Sequence, residues 1–284
     1  MNLFHAVVLG IVQGLTEFLP ISSTAHLTLA GKLFGLLDEQ SSEAWTAFIA
    51  IMQMGTLAAV MIYFFKDLAA MVVAVIADVR NMLGRGRSST LSLESRLAMY
   101  LIIGTIPIGV AGVFFTKAIH GMFTKSTLVI MSSLVILALL LWLAEKVAAH
   151  RRGMEQLTWR DALVIGGAQA LALIPGSSRS GTTITAALFL NITRTAAARF
   201  SFLLSVPAVM GSGVYELTKI SGSVMHFGLL NLIVATLVSA VSGYAAIAWL
   251  LRYLSSHTTM VFVWYRIGLG AFLALMLVLD IIQR

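Results

Sequence analysis

The stretch that decides the fold runs from Gln13 to His26 and reads Gln-Gly-Leu-Thr-Glu-Phe-Leu-Pro-Ile-Ser-Ser-Thr-Ala-His. It places a carboxylate, several hydroxyls and an imidazole within sequence that is otherwise almost wholly apolar. Such groups are costly to remove from water, so chemistry or transport explains them better than packing does. A second polar stretch, Ile-Pro-Gly-Ser-Ser-Arg-Ser-Gly-Thr-Thr, occupies Ile174 to Thr183 in the other half of the chain. We predict that the two stretches meet in the folded protein.

The composition of the 284 residues places both stretches in a membrane. Hydrophobic residues make up 59% of the chain and charged residues only 11%, and the mean hydropathy is +0.94. That is more apolar surface than a soluble domain can keep inside. No window shows the alternating pattern of an outer-membrane barrel, so helices must satisfy the backbone in lipid. The class is an all-α polytopic membrane protein.

The net charge of +7 does not indicate a nucleic-acid partner. Most lysines and arginines lie in short connections between apolar runs, where basic residues report topology. The connections around 66–96 and 146–160 are rich in them, so that side is predicted to be cytoplasmic and both termini to lie outside. The chain has no cysteine, which excludes disulfides and cysteine-bound zinc.

Six apolar runs are long enough to cross a bilayer, at roughly 45–65, 97–116, 126–145, 200–220, 227–251 and 260–281. Two further apolar regions, 3–36 and 162–190, are interrupted by Pro20 and Pro175. The halves of each region are too short to cross alone, so each region is predicted to be a re-entrant helix pair. The predicted fold is six transmembrane helices plus two re-entrant helix pairs.

The two interrupted regions are similar in sequence. Each has Pro-x-Ser-Ser at the break, follows a short glutamine-containing helix and precedes a long span. One region would enter from outside and the other from the cytoplasm, so the halves are predicted to form an inverted repeat. The half-repeats cover about 1–145 and about 160–284 of a single integral membrane domain, 1–284. The loop 66–96, which contains the glycine- and serine-rich segment Gly84–Thr90, is predicted to be a flexible cytoplasmic connection around a possible amphipathic piece, Leu68 to Met82.

The candidate residues at the first break are Gln13, Glu17, Ser22, Ser23, Thr24 and His26. Gln13 and Glu17 are one helical turn apart and share a face. Ser22 or Ser23 can cap the helix that follows the proline. A histidine in an apolar helix is usually a hydrogen-bonded core residue, but beside Glu17 and three hydroxyls a functional role is the better interpretation of His26.

The candidate residues at the second break are Ser177, Ser178, Arg179, Ser180 and Thr183. Free backbone N–H groups at a helix start, hydroxyl donors and a guanidinium fork together suit an oxyanion, most naturally a phosphate. The alternative is that Arg179 forms a structural ion pair with Glu17, which does not exclude function.

Placed together at the membrane midplane, the two breaks form a constellation for phosphoryl transfer. Arg179 would clamp the anion, Ser23 and His26 are candidates for nucleophile or base, and Glu17 for metal ligand or orienting group. A site inside the bilayer implies a substrate with a lipid tail. The sequence does not distinguish whether Ser23, His26 or water attacks the phosphorus. A transporter or lipid flippase is the rival interpretation, because inverted repeats with broken helices are also a transporter architecture.

At these residues the chain resembles the undecaprenyl-diphosphate phosphatase family, membrane enzymes linked to bacitracin resistance. Both polar stretches match motifs of that family, and the two motifs together are highly specific. Three further segments also resemble family positions: Gln53–Gly55, Phe200–Pro207 and Tyr265–Arg266. The resemblance therefore covers nearly the whole chain.

The resemblance implies hydrolysis of the terminal phosphate of undecaprenyl diphosphate at the outer face of the bacterial inner membrane. This would recycle the lipid carrier for peptidoglycan synthesis and confer bacitracin resistance. Its partners would be the polyprenyl diphosphate substrate and membrane lipids, with no nucleic acid; a homodimer is left open. The residues placed on catalytic positions are Glu17, Ser23, His26 and Arg179. The candidates for binding the substrate phosphate are Ser22, Thr24, Ser178, Ser180 and Thr183.

The resemblance also implies a divalent cation, Mg²⁺ or Ca²⁺, with Glu17 and Gln13 as its candidate ligands. Gln13 is the neutral alternative at a position where the family also has glutamate, so it supplies at most a carbonyl ligand. Arg266 is a further charged residue in an apolar run and needs a partner there. Glu216, Gln53 or the lipid phosphate are the candidates, and structural pairing is the better interpretation.

Overall fold

The computed structural model describes residues 1–36, 42–85, 91–114, 126–219 and 227–279. Within these ranges the chain is helical, and its β-structure is limited to one isolated bridge between Arg152 and Ile192. In chain order the helices are α1 (Leu3–Phe18), α2 (Ser23–Leu33), α3 (Ser42–Tyr63), α4 (Phe65–Arg85), α5 (Leu93–Phe114), α6 (Thr127–Val147), α7 (Trp159–Ala170), α8 (Arg179–Phe189), α9 (Arg194–Lys219), α10 (Leu229–Leu254) and α11 (Met260–Val278).

The six predicted spans are confirmed as helices long and apolar enough to cross a membrane. They are α3, α5, α6, α9, α10 and α11. Helix α9 begins at Arg194, earlier than its predicted start near 200, because the Thr193 hydroxyl accepts a hydrogen bond from the backbone N–H of Ala196. The interrupted regions form the short helices α1 and α2, and α7 and α8. That each pair enters and leaves on one side of the membrane stays a prediction.

The two breaks have similar backbone geometry, although the second has one more residue between its proline and the capping serine and contains Gly176 with φ of 86°. Leu19 and Ile174, the residues before the break prolines, are extended with ψ of 140° and 123°, because a following proline disfavours the helical conformation. The next helix is capped in each case by a serine with positive φ, Ser22 at 75° and Ser178 at 67°. Each serine Oγ accepts a hydrogen bond from the backbone N–H three residues further on. Each break therefore turns the chain sharply and begins a new helix.

The packing partners also correspond between the halves. Helix α1 packs on α10 as α7 packs on α5, α1 contacts α2 as α7 contacts α8, and α3 and α9 pack together, as do α6 and α11. Both short first helices approach their spans through glycine: a Cβ on Gly14 would lie 2.0 Å from Ser242 Oγ, and one on Gly166 would lie 2.1 Å from the Gly104 carbonyl oxygen. This correspondence supports the inverted repeat, which stays a prediction.

Helix α4 covers and extends the predicted amphipathic piece. Its acidic residues face the protein: Asp67 accepts a hydrogen bond from Arg199 at 2.9 Å, and Asp78 accepts two from Ser92 at 2.9 and 2.8 Å. These bonds fix α4 against α9 and against the start of α5. Residues 86–90 of the predicted flexible connection lie outside the described residues.

Candidate active site

The last turns of α1 carry the carboxylate of the site. Gln13 and Glu17 share a face, as their spacing predicts, and are 0% and 7% exposed. The Gln13 Nε2 donates to Glu17 Oε2 at 3.2 Å. Its Oε1 is buried and has no hydrogen-bond partner in the described part of the chain. A buried carbonyl oxygen without a donor is costly, so this atom is available to a ligand that the protein does not itself provide.

Glu17 joins the two breaks. Its Oε1 accepts a hydrogen bond from Arg179 Nη2 at 3.1 Å, and its Oε2 accepts one from Ser23 Oγ at 3.0 Å. Glu17 lies in the last turn of the first short helix, Ser23 begins the second, and Arg179 begins the corresponding helix of the other half. The two polar stretches therefore meet in this structure at a single carboxylate.

Arg179 is held at two points and has donors to spare. Its Nη2 bonds to Glu17, and its Nη1 donates to the carbonyl oxygen of Ser201 at 3.2 Å. Its Nε is buried and has no acceptor among the described residues. The ion pair foreseen as a structural alternative is present, at 3.1 Å. Because a guanidinium carries five N–H donors, this pair leaves Arg179 able to bind an anion as well.

The hydroxyls of α8 tie its first turn to the surrounding helices. Ser180 Oγ donates to the Leu19 carbonyl oxygen at 3.0 Å and lies 3.2 Å from Ser178 Oγ. Thr183 Oγ1 lies 2.7 Å from Ser201 Oγ on α9. Ser180 and Thr183 are both fully buried. These contacts give the hydroxyls a positioning role, and their direct contact with phosphate stays a prediction.

The serines and the threonine at the start of α2 differ in burial and in their hydrogen-bond partners. Ser22 is buried and its Oγ caps the helix at the N–H of Ala25, at 3.4 Å. Ser23 is partly exposed and Thr24 is exposed. Of the two candidate capping serines, Ser22 takes that role, so the Ser23 hydroxyl is left to bond with Glu17.

His26 is oriented by two neighbours. Its Nδ1 lies 2.7 Å from the Ser22 carbonyl oxygen, and its Nε2 lies 2.6 Å from the Tyr265 hydroxyl. A carbonyl oxygen can only accept, so in the neutral ring Nδ1 carries the proton and Nε2 accepts from the Tyr265 hydroxyl. The two rings are stacked, with centroids 5.6 Å apart and planes 10° apart. Glu17, which the sequence suggested as a group that orients His26, makes no hydrogen bond to it among the described contacts.

Arg266 has partners that the sequence did not indicate. It is fully buried on α11. Its guanidinium donates, at 3.1 to 3.4 Å, to the carbonyl oxygens of Pro20, Ser133, Leu134, Gly176 and Ser177. The partners are thus backbone carbonyls, where a side chain or the lipid phosphate was expected; the side chain of Glu216 lies outside the described residues. The sequence indicated Tyr265 only through the resemblance of the pair to a family position, and Arg266 also as a charged residue in an apolar run.

The side chains at the site carry the type of donor atom that a divalent cation prefers. Glu17 offers a carboxylate, Gln13 an unpartnered amide oxygen and Ser23 a hydroxyl, and all three are hard oxygen donors. The described residues contain no group of three or more His, Asp or Glu side chains that could hold a metal. Magnesium commonly takes one or two protein carboxylates and completes its shell with water and substrate phosphates. An ion here would therefore depend on the substrate for part of its coordination.

The fold and the site together define an integral membrane protein in which a buried glutamate and an arginine, Glu17 and Arg179, meet at two helix breaks within an apolar helical body. The chain belongs to the family described as Bacitracin resistance protein BacA, whose family model matches residues 6–272. The matched range includes both breaks and the Tyr265–Arg266 pair.

Curated relatives are similar to this chain over nearly their whole length. A protein of Syntrophobacter fumaroxidans named undecaprenyl-diphosphatase is 50% identical over 270 residues, covering 95% of each chain. One of Myxococcus xanthus with the same name is 49% identical over 277 residues, covering 98% of this chain and 90% of the relative. A third, of Chloroherpeton thalassium, is 50% identical over 286 residues, covering 98% of this chain and 97% of the relative.

Proposed function

We propose that the protein hydrolyses undecaprenyl diphosphate to undecaprenyl phosphate and inorganic phosphate. The observation that carries this proposal is the contact of both helix starts with Glu17, which places a guanidinium and a hydroxyl on the two oxygens of one buried carboxylate. A cationic fork beside a carboxylate-bound hydroxyl suits phosphoryl transfer. The names of the relatives give the substrate.

Binding would use the second break. The start of α8 has free backbone N–H groups and a positive helix end, which favour a phosphate. The unpartnered Arg179 Nε and the remaining Nη hydrogens would donate to the diphosphate oxygens. Arg179 would then hold Glu17 and the phosphate at the same time, because different N–H donors bind each of them.

Gln13 Oε1 and Glu17 are the residues that would hold the divalent cation. When bound, the cation would neutralise part of the diphosphate charge. Gln13 Nε2 keeps the Glu17 carboxylate in place through its own hydrogen bond. The glutamine therefore has two uses in the site, because its amide can donate to the carboxylate and leave its oxygen to a ligand.

Ser23 is the favoured nucleophile of the three candidates. Its hydroxyl donates to Glu17, so the carboxylate can take the proton while Oγ attacks the terminal phosphorus. The bond from phosphorus to the bridging oxygen breaks and undecaprenyl phosphate leaves. Water then attacks the phosphoserine; inorganic phosphate leaves with the two protons of that water, and Glu17 returns its proton to the Oγ of Ser23. The basic nitrogen of His26 is occupied by Tyr265, which favours a supporting role for His26.

The cellular setting is part of the same proposal. The site would open to the outer face of the inner membrane, with both termini outside. Release of undecaprenyl phosphate there would recycle the lipid carrier of peptidoglycan synthesis and confer bacitracin resistance. The excess of basic residues in the connections around 66–96 and 146–160 supports this orientation.

Phosphate release by purified protein in detergent tests the activity. We expect undecaprenyl diphosphate to yield one inorganic phosphate per lipid, a chelator to abolish the release, and Mg²⁺ or Ca²⁺ to restore it, because Glu17 would offer its carboxylate to an ion. A flippase without hydrolytic activity would release no phosphate under any of these conditions. Absence of release from monodisperse protein supplied with either ion would contradict the proposal.

Trapping of a phospho-enzyme tests the assignment of the nucleophile. With substrate labelled at the terminal phosphate and a rapid acid quench, we expect acid-stable label on Ser23 and none in Ser23→Ala. Phosphohistidine is acid-labile and survives an alkaline quench, so the two quenches separate Ser23 from His26. Label found on His26, or single-turnover kinetics without any labelled protein, would contradict attack by Ser23.

A further inference from the structure

Arg266 is a buried cation without a counter-ion among the described residues. It is 0% exposed, and none of the described salt bridges includes it. Burial of a charge is costly unless polar groups surround it. Each of its three guanidinium nitrogens already donates to a backbone carbonyl oxygen of the protein. Its function must therefore be sought in the groups that it binds.

Those groups belong mainly to the two breaks. The carbonyl oxygen of Pro20 in the first break accepts from Nη1 at 3.3 Å. The carbonyl oxygens of Gly176 and Ser177 in the second break accept from Nη2 at 3.3 and 3.1 Å. Two carbonyls of α6 complete the shell. One guanidinium therefore holds the backbone of both interruptions at once.

The bond to Ser177 has a direct consequence for the start of α8. Peptide units are planar and trans, so the carbonyl oxygen of Ser177 and the N–H of Ser178 point in opposite directions. A cation on the carbonyl side polarises the peptide unit and makes its N–H a stronger donor. Ser178 caps α8, and Arg179 is the first residue of that helix. Arg266 thus sets the direction of the peptide that leads into the anion-binding turn.

Comparison of the two halves shows why an arginine is needed. The carbonyl oxygen of the second break proline, Pro175, accepts a hydrogen bond from Ser133 Oγ on α6 at 2.5 Å. The corresponding carbonyl of Pro20 is held by Arg266 on α11, the helix that packs against α6. Ser133 holds only the break of the opposite half, whereas the longer Arg266 holds the break of the opposite half and that of its own half. Gly181 makes room for it, since a Cβ there would lie 2.7 Å from Arg266 Nη1.

We propose that Arg266 is a positioning residue for phosphoryl transfer, which fixes the two helix starts relative to each other and acts on the lipid diphosphate through Ser178 and Arg179. The inference rests on the proposed hydrolysis of undecaprenyl diphosphate. It predicts that a cation of the same charge but different shape fails at this position. A lysine has three donors from a single nitrogen and cannot reach carbonyls on both breaks and on α6 together.

The test compares Arg266→Lys with Arg194→Lys in detergent-purified protein. Arg194 also binds through its guanidinium, to the buried Glu145, but lies outside the site. We expect Arg266→Lys to lower kcat by about a hundredfold at a temperature where it is fully folded, because misplacement of reacting groups by about 1 Å costs that much. Arg194→Lys should lower Tm and keep kcat per folded molecule within about twofold.

A second variant keeps the inference testable if Arg266→Lys folds poorly. Gly181→Ala keeps Arg266 in the sequence, but its added Cβ displaces the Arg266 guanidinium. We therefore expect a kcat loss of about tenfold. If both changes act through the same group, Gly181→Ala should cause little further loss in an Arg266→Lys background. A wild-type kcat in folded Arg266→Lys would overturn the inference. If Arg266→Lys does not fold, a wild-type kcat in Gly181→Ala would overturn it instead. Both outcomes leave the proposed hydrolysis standing, whereas an inactive wild-type protein would remove the proposed function itself.

Discussion

Replacement of Glu17 by glutamine is expected to lower kcat by about 10⁴-fold, a loss typical of removing a catalytic carboxylate that orients or deprotonates its neighbour. Glutamine keeps the shape of the side chain but cannot accept the Ser23 proton. It also places a neutral amide beside Arg179 and removes the carboxylate that would bind a cation. Three contacts of the site change at once, since Gln13, Ser23 and Arg179 all bond to Glu17. Phosphate release under saturating substrate measures the effect.

The matched control for this change is Glu145→Gln. Glu145 is also a buried glutamate, and it binds Arg194 and Thr259 at the ends of α9 and α11. Loss of its charge should lower Tm by several degrees and leave kcat of the folded protein near the wild-type value. Equal losses of kcat in the two variants would show that Glu17 acts on stability alone. Retention of more than about a tenth of the wild-type kcat in Glu17→Gln would remove the carboxylate from the chemistry.

The spans and the breaks could be predicted because each depends on local sequence. Six runs of apolar residues fix six helices, since a bilayer requires about twenty residues per crossing. The prolines fix the breaks, because a proline removes a backbone donor and forces Leu19 or Ile174 out of the helical conformation. The spacing of Gln13 and Glu17 likewise fixes their shared face. In each case the cause lies within a few residues of its effect.

Apart from the pair of Glu17 with Arg179, the partners of the site residues could not be predicted because they come from distant parts of the chain. The bond from His26 to Tyr265 joins residues 239 positions apart, and the bond from Arg266 to Pro20 joins residues 246 apart. No local spacing indicates such contacts. The same holds for Ser201, whose carbonyl and hydroxyl bind Arg179 and Thr183. Residue types at the breaks indicate an anion site, and the tertiary fold determines which residue orients which.

Replacement of Arg179 by lysine is expected to lower kcat by at least about a hundredfold, because the change keeps the charge and removes the fork. Arg179 holds Glu17 with one nitrogen and the Ser201 carbonyl with a second, and its buried Nε is left for a ligand. A lysine ammonium is a single point of contact. It can stay with Glu17 or move to the phosphate, so the site loses the geometry that holds carboxylate and phosphate together. The loss should be larger in kcat than in KM, since the fork matters most as charge develops on the leaving phosphate.

Arg194→Lys again separates this effect from folding, because the pair of Arg194 with Glu145 has the same chemistry outside the site. Only the variant at residue 179 should lose turnover at temperatures where both proteins are folded. A neutral Arg179→Gln variant extends the comparison: if charge alone mattered, lysine would retain activity that glutamine loses. The fork predicts instead that lysine and glutamine lie within about tenfold of each other and far below wild type. Near-normal turnover in Arg179→Lys would show that positive charge suffices, and the bidentate clamp would have to be abandoned.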